Sequence, residues 1–292
     1  MLRPLNVISA QPLSSGNEEV GPVSASNNSV SMYVAAVDGE VGYSVEGPVA
    51  VITINRPGAH NAFTVDMARQ LAAATDAARR NDSVHVVIVT GAGEKAFCAG
   101  GDLGELIPRL TRGELDVLIS DPVKRYFSDV HKPVIAAVNG ICVAGGLEIL
   151  LGTDIRIAAE HAIFGVPEVR WGLVPGGGTH VRLPQQIPWT MAMQLLLTGD
   201  HIDAHRAAAC GLVNEVVTAG QELPRAIEIA TRIATNAPLA VRASKEIAVR
   251  ALANEPRFAL EFAMTERVIR SDDAKEGPRA FMEKRAPRYR SR

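Results

Sequence analysis

Asn139-Gly140-Ile141-Cys142-Val143-Ala144-Gly145-Gly146-Leu147-Glu148 follows the β-branched run Pro133 to Val138, and the reading of this stretch decides the fold. A short apolar run stopped by Asn-Gly reads as a buried strand ended by a turn. Paired glycines then permit positive φ and close approach of a ligand to the backbone. Leu147 to Leu151 resumes as an apolar, helix-forming run. A second stretch is built alike: Val84 to Thr90, then Gly91-Ala92-Gly93, then Phe97-Cys98-Ala99-Gly100-Gly101-Asp102-Leu103.

Outward from these two turns the same alternation continues. Val49 to Ile54 is a buried strand stopped by Asn55-Arg56-Pro57-Gly58, and Thr64 is an N-cap before a helix with an apolar stripe running to Arg79-Arg80. Asp154 to Ala158 reads as another strand. Strands separated by helices predict an α/β fold with parallel pairing. Beyond Val217 the spacing turns helical, over Leu223 to Ala253 and Arg257 to Ile269, with Pro238 and Pro256 as breakers. The organisation expected is a flexible extension over 1–32, rich in Ser, Asn, Pro and Gly, an α/β core over 33–217 and a helical region over 218–292.

Composition narrows the function classes. The 292 residues are 47% hydrophobic, an ordinary globular share, and 30 Lys plus Arg against 32 Asp plus Glu leave a net charge of -2. No global positive field exists to hold nucleic acid or an anionic membrane, so neither is an expected partner. No apolar run approaches the ~20 residues of a membrane span. Three widely spaced cysteines, Cys98, Cys142 and Cys210, fit neither a disulfide scaffold nor a zinc ribbon. A reducing, cytoplasmic setting is expected.

Several motifs are weak. Gly91-Ala92-Gly93-Glu94-Lys95-Ala96 has the outline of a dinucleotide fingerprint, but Ala99-Gly100-Gly101 interrupts the helix that must follow. His201 and His205 have the i, i+4 spacing of a metal pair without a third ligand nearby, so a capped helix start is the expectation and no metal is predicted. Cys98 and Cys142 lack a basic neighbour in sequence and read as small buried residues. The two glycine turns are different in kind. A helix beginning right after Gly145-Gly146, at Leu147, points free N–H groups outward, and one donor from each turn is the minimum for an oxyanion hole. Glu148 is a lone acid in an apolar helical run, and Glu168 sits in the apolar, turn-forming Phe164-Gly165-Val166-Pro167-Glu168-Val169. Two carboxylates beside one water can divide the roles of base and acid. Either could instead cap a helix or pair with Arg156 or Arg170.

Taken in order, a set of motifs resembles the enoyl-CoA hydratase/isomerase, or crotonase, superfamily. They are Arg56-Pro57-x-x-x-Asn61-Ala62, Ala96 to Leu103, Lys132 to Gly140, Ala144 to Glu148 and Phe164 to Glu168 through Gly172-Leu173-Val174-Pro175-Gly176. Leu197-Thr198-Gly199 with Ala207 and Gly211 to Val217, and Ala280-Phe281-Met282-Glu283-Lys284-Arg285, complete the set. The resemblance runs from about Val41 to the C-terminus. It implies a crotonase-like spiral of ββα units with a C-terminal helical trimerisation region, assembled as a homotrimer or a dimer of trimers. It implies an acyl-CoA substrate in lipid metabolism, coenzyme A being part of the substrate and no separate cofactor being needed. Residue by residue, it makes Gly101 and Gly145 the oxyanion-hole donors and Glu148 and Glu168 the acids that handle water and its protons. It places Ala62, Asp102 and Leu103 at the adenine end of CoA, and Phe281 and Lys284, from a C-terminal helix often belonging to a neighbouring subunit, beside its phosphates. The presence of both glutamates favours hydration of a 2-trans-enoyl-CoA. An isomerase, or a dehydratase of a substituted hydroxyacyl-CoA of the carnitinyl type, is the alternative. Gly101 stands where many hydratases have Ala, and Thr179-His180-Val181 departs from the commoner pattern, which predicts an altered wall near Glu168. A non-enzymatic RNA-binding or scaffold member would need a basic helix face, and 64–80 offers only Arg69, Arg79 and Arg80 against Asp66 and Asp76.

Overall fold

The structure, a computed structural model, describes residues 40–114, 119 and 121–290; the extension expected at 1–32 lies outside them. The β-branched runs become the main sheet. β1 (Val41–Glu46) pairs antiparallel with β2 (Val49–Ile54). β3 (Val86–Gly91), β5 (Val134–Val138), β7 (Ile155–Ala159) and β10 (Glu215–Val217) then follow β2 in parallel, in that spatial order. Every residue of β2, β3 and β5 is buried, the mark of parallel strands covered on both faces.

A second, smaller sheet is made of short strands. β4 (Ala96–Cys98), β6 (Ile141–Val143) and β8 (Ile163–Gly165) are parallel, and β9 (His201–Asp203) closes the edge antiparallel to β8. Each of the first three follows a main-sheet strand after a tight turn. The chain therefore alternates between the two sheets as it advances.

Helix α1 (Val65–Arg80) begins as its sequence requires, with Thr64 Oγ1 accepting the Met67 N–H at 3.1 Å. Its other end is closed by the buried Lys132, whose Nζ donates to the Ala78 and Asn81 carbonyls at 2.8 and 2.6 Å, a cation on the negative end of the helix. Short helices α2 (Leu106–Leu110) and α3 (Gly145–Leu150) follow, then α4 (Thr179–Gln186), α5 (Trp189–Thr198) and α6 (Ala204–Ala209). After β10 come α7 (Glu222–Ala234), α8 (Pro238–Ala251), α9 (Glu255–Ile269) and α10 (Asp272–Met282). Pro238 and Pro256 sit in the first turns of α8 and α9, where the missing N–H costs nothing.

Packing crosses residue 217. Leu223, Ala226, Ile227 and Ala230 of α7 cover the face of the main sheet made by Val49, Val51, Val86, Ile88, Ile135 and Ile157. The opposite face packs on the larger core containing Phe63, Met67, Leu71, Phe97 and Leu147. The weak motifs resolve on geometry. Gly91 leads through a turn into β4 and not into a helix, which removes the dinucleotide outline. His201 lies on β9 and His205 on α6, whose cap is Asp203 Oδ1 on the Arg206 N–H at 2.7 Å. Among the described residues no helix is long and apolar enough to cross a membrane.

Replacing Thr64 with alanine leaves the Met67 amide without its cap. The expected loss is about 1 kcal/mol of unfolding free energy, read from the midpoint of urea denaturation at unchanged slope.

Candidate active site

β4, β6 and β8 end side by side, and each delivers its following turn to the same place. After β4, Gly100 has φ +97 and lies against the turn after β6: a Cβ on it would stand 2.7 Å from Ala144 Cβ and 3.2 Å from the Gly145 nitrogen. Only a residue without a side chain permits that contact. Phe63 N–H donates to Gly100 O and Asp102 N–H to Phe63 O, both at 2.7 Å. That parallel bridge uses the peptide groups on either side of Gly101 and turns the Gly101 N–H the other way. Gly145 is the first residue of α3, so its amide has no partner inside the helix. Among the described residues, neither amide donates a hydrogen bond.

Ala144, the residue before α3, holds φ 51 and ψ -126, a conformation costing about 1–3 kcal/mol for a residue with a Cβ. Its N–H donates to Gly165 O at 3.0 Å, and this bond to the end of β8 holds the twist that aims the start of α3. The helix therefore begins at Gly145, with both glycines inside it and not before it as the sequence reading expects.

Glu148 is the fourth residue of α3 and is buried. Its Oε1 accepts the Gly177 N–H at 2.7 Å, a charge-assisted bond of about 1.5–3 kcal/mol when the group is ionised. Burial pushes the Glu148 carboxyl above its ordinary range, and the Gly177 amide opposes that rise. Glu168 lies in a 3₁₀ turn, Pro167–Trp171, just beyond β8. Its Oε2 is shielded from solvent without a hydrogen-bond partner. Burial first, and the Glu148 charge second, push its carboxyl up to about 8. The competing roles drop away: Arg156 bonds to Thr153, Leu212 O and Gln186, Arg170 pairs with Asp200, and neither glutamate caps its own helix.

A cavity of about 710 Å³, within the usual range for a small-molecule site, is lined by Gly101, Gly145, Glu148 and Glu168 together. Phe63, Leu106, Leu173 and Ile269 supply part of its apolar wall. The remaining candidates stand apart from the lining. Ala62 and Asp102 adjoin the lining residues Phe63 and Gly101 and are tied by Arg56, whose Nη1 reaches the Ala62 carbonyl at 3.2 Å and Asp102 Oδ2 at 2.6 Å. Leu103 follows them, half-buried. Phe281 packs edge-on to Trp171 with ring centroids 4.6 Å apart, and Lys284, at φ 52, is exposed past the end of α10. Cys98 and Cys142 are buried, and burial pushes the Cys98 thiol up to about 12, so neither is a nucleophile.

The fold agrees with known proteins. The chain matches the enoyl-CoA hydratase/isomerase family over residues 44–292. It belongs to that family. The relative named enoyl-CoA hydratase EchA19, from Mycobacterium tuberculosis, is 42% identical over 258 residues, which is 84% of this chain and 94% of the relative. A carnitinyl-CoA dehydratase of Proteus mirabilis is 37% identical over 85% of this chain and 97% of its own. The crystal structure of a carnitinyl-CoA hydratase from Mycobacterium avium superimposes with a TM-score of 0.78 at 38% identity, covering 88% of this chain and all of the other. The crotonase-like α/β fold with C-terminal helices is thereby established.

Sequence reading missed Gly177. No motif singles it out, yet the turn Gly176-Gly177-Gly178 rests on Glu148: a Cβ at Gly177 would fall 2.4 Å from Glu148 Oε2. Gly177→Ala is expected to force the Glu148 carboxylate off the residue 177 amide, visible as a lost hydrogen bond in a crystal structure of the variant. The same variant is expected to have a lower melting temperature than the parent.

Proposed function

We propose that this protein adds water across the double bond of a 2-trans-enoyl-CoA. The observation that carries the reading is that two carboxyl groups in unlike surroundings open on one cavity that also holds two uncommitted amides. The thioester oxygen sits on the N–H groups of Gly101 and Gly145. Water attacks C3, Glu148 takes its proton, the electron pair moves through C2 to the thioester oxygen, and Glu168 delivers a proton to C2. Negative charge on that oxygen peaks after the substrate stage, so the two amides lower the barrier instead of merely tightening binding. Each is worth roughly 2.7–4 kcal/mol in such a site. Glu168 suits the acid role because it keeps its proton to about pH 8, and Glu148 suits the base role because the Gly177 amide favours its charged form.

Coenzyme A belongs to the substrate in this reading. Ala62, Asp102 and Leu103 hold its adenine end, and Phe281 and Lys284, which do not line the cavity of their own chain, serve its phosphates from a neighbouring subunit. Self-association as a trimer or a dimer of trimers is supported by the large apolar side chains Leu239, Leu197 and Leu260, which are 80%, 74% and 65% exposed in the single chain. A cytoplasmic setting goes with this reading. Arg69, Asp121, Lys124 and Asp129 also line the cavity and support a second reading, dehydration of a hydroxyacyl-CoA with a polar substituent.

Crotonyl-CoA is the deciding substrate, followed by loss of its conjugated-enone absorbance. Glu148→Gln and Glu168→Gln are each expected to lower kcat by about 10²- to 10⁴-fold. Because the acid is needed protonated, the parent rate is expected to fall as pH rises through about 8, and no such fall remains in Glu168→Gln. A parent protein inert to crotonyl-CoA but active on a substituted hydroxyacyl-CoA would move the assignment to the second reading.

A further inference from the structure

Beside the Gly176–Gly178 turn lies a buried ion pair, one member of which, Arg125, also lines the cavity and the other of which, Glu261, does not. Arg125 and Glu261 have side chains only 1% and 2% exposed, with Nε to Oε2 at 3.1 Å. The other carboxylate oxygen, Glu261 Oε1, accepts the His180 N–H at 3.0 Å, and His180 Nδ1 lies 3.4 Å from it. Arg125 Nη2 donates to Phe258 O at 2.9 Å, and the Arg125 guanidinium sits over the Phe258 ring. Its stem packs on the turn: a Cβ at Gly178 would meet Arg125 Cγ at 3.0 Å. One helical step along α9, Thr265 meets the front of the turn, since a Cβ at Gly176 would stand 3.3 Å from Thr265 Cγ2. Residues 261 and 265 share a helix face, so α9 grips the glycine turn at both ends.

Between those two grips is Gly177, whose N–H binds Glu148. A run of three glycines has no side chains with which to fix its own path, and its conformational entropy is high. The position of that amide therefore has to be imposed from outside. We propose that Glu261 is a positioning residue for Glu148: by holding the His180 amide and the Arg125 side chain, it fixes the turn that presents the Gly177 N–H to the carboxylate. The proposal rests on Glu148 acting as the base of hydration, and it adds a residue 113 positions away in sequence that never meets the substrate.

The charged and titratable groups around Glu148 are Glu168, Cys98, Tyr126, Arg125 and Glu261. Around Glu261 they are Arg125, His180, Arg182 and Glu148. The Glu261 charge disfavours ionisation of Glu148 and Arg125 favours it. Removing the Glu261 charge therefore makes Glu148 easier to ionise, and the acid limb of kcat/KM moves to lower pH.

The experiment compares Glu261→Ala and Glu261→Gln with the parent, by crotonyl-CoA hydration across pH, thermal melting and crystal structures. Glutamine keeps an oxygen for the His180 N–H, whereas alanine does not. Glu261→Ala is expected to lose about 100-fold in kcat, the scale of a misplaced catalytic group, with KM little changed and the Gly177–Glu148 bond lengthened or lost. Glu261→Gln, which keeps the His180 contact but not the acceptor for Arg125, is expected to recover part of that loss and to show the acid limb at lower pH. Parent-like kcat in a folded Glu261→Ala, with the bond intact, overturns the proposal. So does an equal loss in both variants with the acid limb unmoved, the signature of a merely structural role. Should the alanine variant not fold, the glutamine limb decides alone. A parent protein that hydrates no enoyl-CoA defeats the functional reading instead, and the variant structures still test the positioning.

Discussion

Three short parallel strands ending at one level are the constraint on which the site depends. β4, β6 and β8 are hydrogen-bonded neighbours, and in parallel strands every carboxyl end faces the same way. Whatever the chain does next, it does on the same side of the small sheet. The turn after β4 contributes Gly101, the turn after β6 contributes Gly145 and Glu148, and the turn after β8 contributes Glu168. Ligand sites in α/β proteins gather at the carboxyl ends of strands for this reason. Here the ladder spacing alone brings residues 101, 145 and 168 to one cavity wall, and the Ala144 N–H to Gly165 O bond locks two of the three turns together.

Electrostatics then divides the labour. Two carboxyl groups in a shared apolar cavity resist ionising together, because each is poorly solvated and each charge opposes the next. What sets Glu148 apart is the glycine turn, whose backbone amides, Gly177 foremost, favour its charged form. Gly177 gives Glu148 a donor that opposes the rise imposed by burial, whereas Glu168 Oε2 has none and its carboxyl is pushed up to about 8. The nearby arginines matter by being occupied elsewhere. Had Arg156 or Arg170 reached Glu168, the ion pair would have lowered its proton affinity and left the cavity without an acid at neutral pH.

Much of this was legible in the residues. β-branched runs, Thr64 as a cap and prolines at helix starts mark local structure by local chemistry, and they lie where the sequence says. Glu148 stands out because an acid in Leu147-Glu148-Ile149-Leu150 contradicts its surroundings. The two glycine turns stand out as breaks between periodic runs. Long-range partners leave no such mark. Nothing near Gly177 announces that its amide will bind a side chain 29 residues earlier, and nothing near Arg125 points to Glu261, which lies 136 residues on. The sequence places the start of α3 two residues late, because glycine propensity argues against a helix, whereas the strained Ala144 and its bond to Gly165 impose one from outside.

The Arg125–Glu261 pair is better accounted for by geometry than by stability. Desolvating two full charges consumes most of what their attraction returns, and apolar residues of similar volume in such places are often as stabilising or more so. An apolar pair has no direction, however. It could hold α9 near the 121–130 segment but could not select one orientation of the His180 peptide, because dispersion contacts are nearly indifferent to small rotations and slides. A carboxylate that must satisfy a guanidinium with one oxygen and a backbone N–H with the other has few acceptable placements. The turn it constrains is made of glycines, which supply no rigidity of their own, so the directional contacts have to come from a different part of the chain. That explains why a helix of the C-terminal region reaches back to the α/β core at this point, and why its buried face carries a charge where an ordinary core helix would carry leucine.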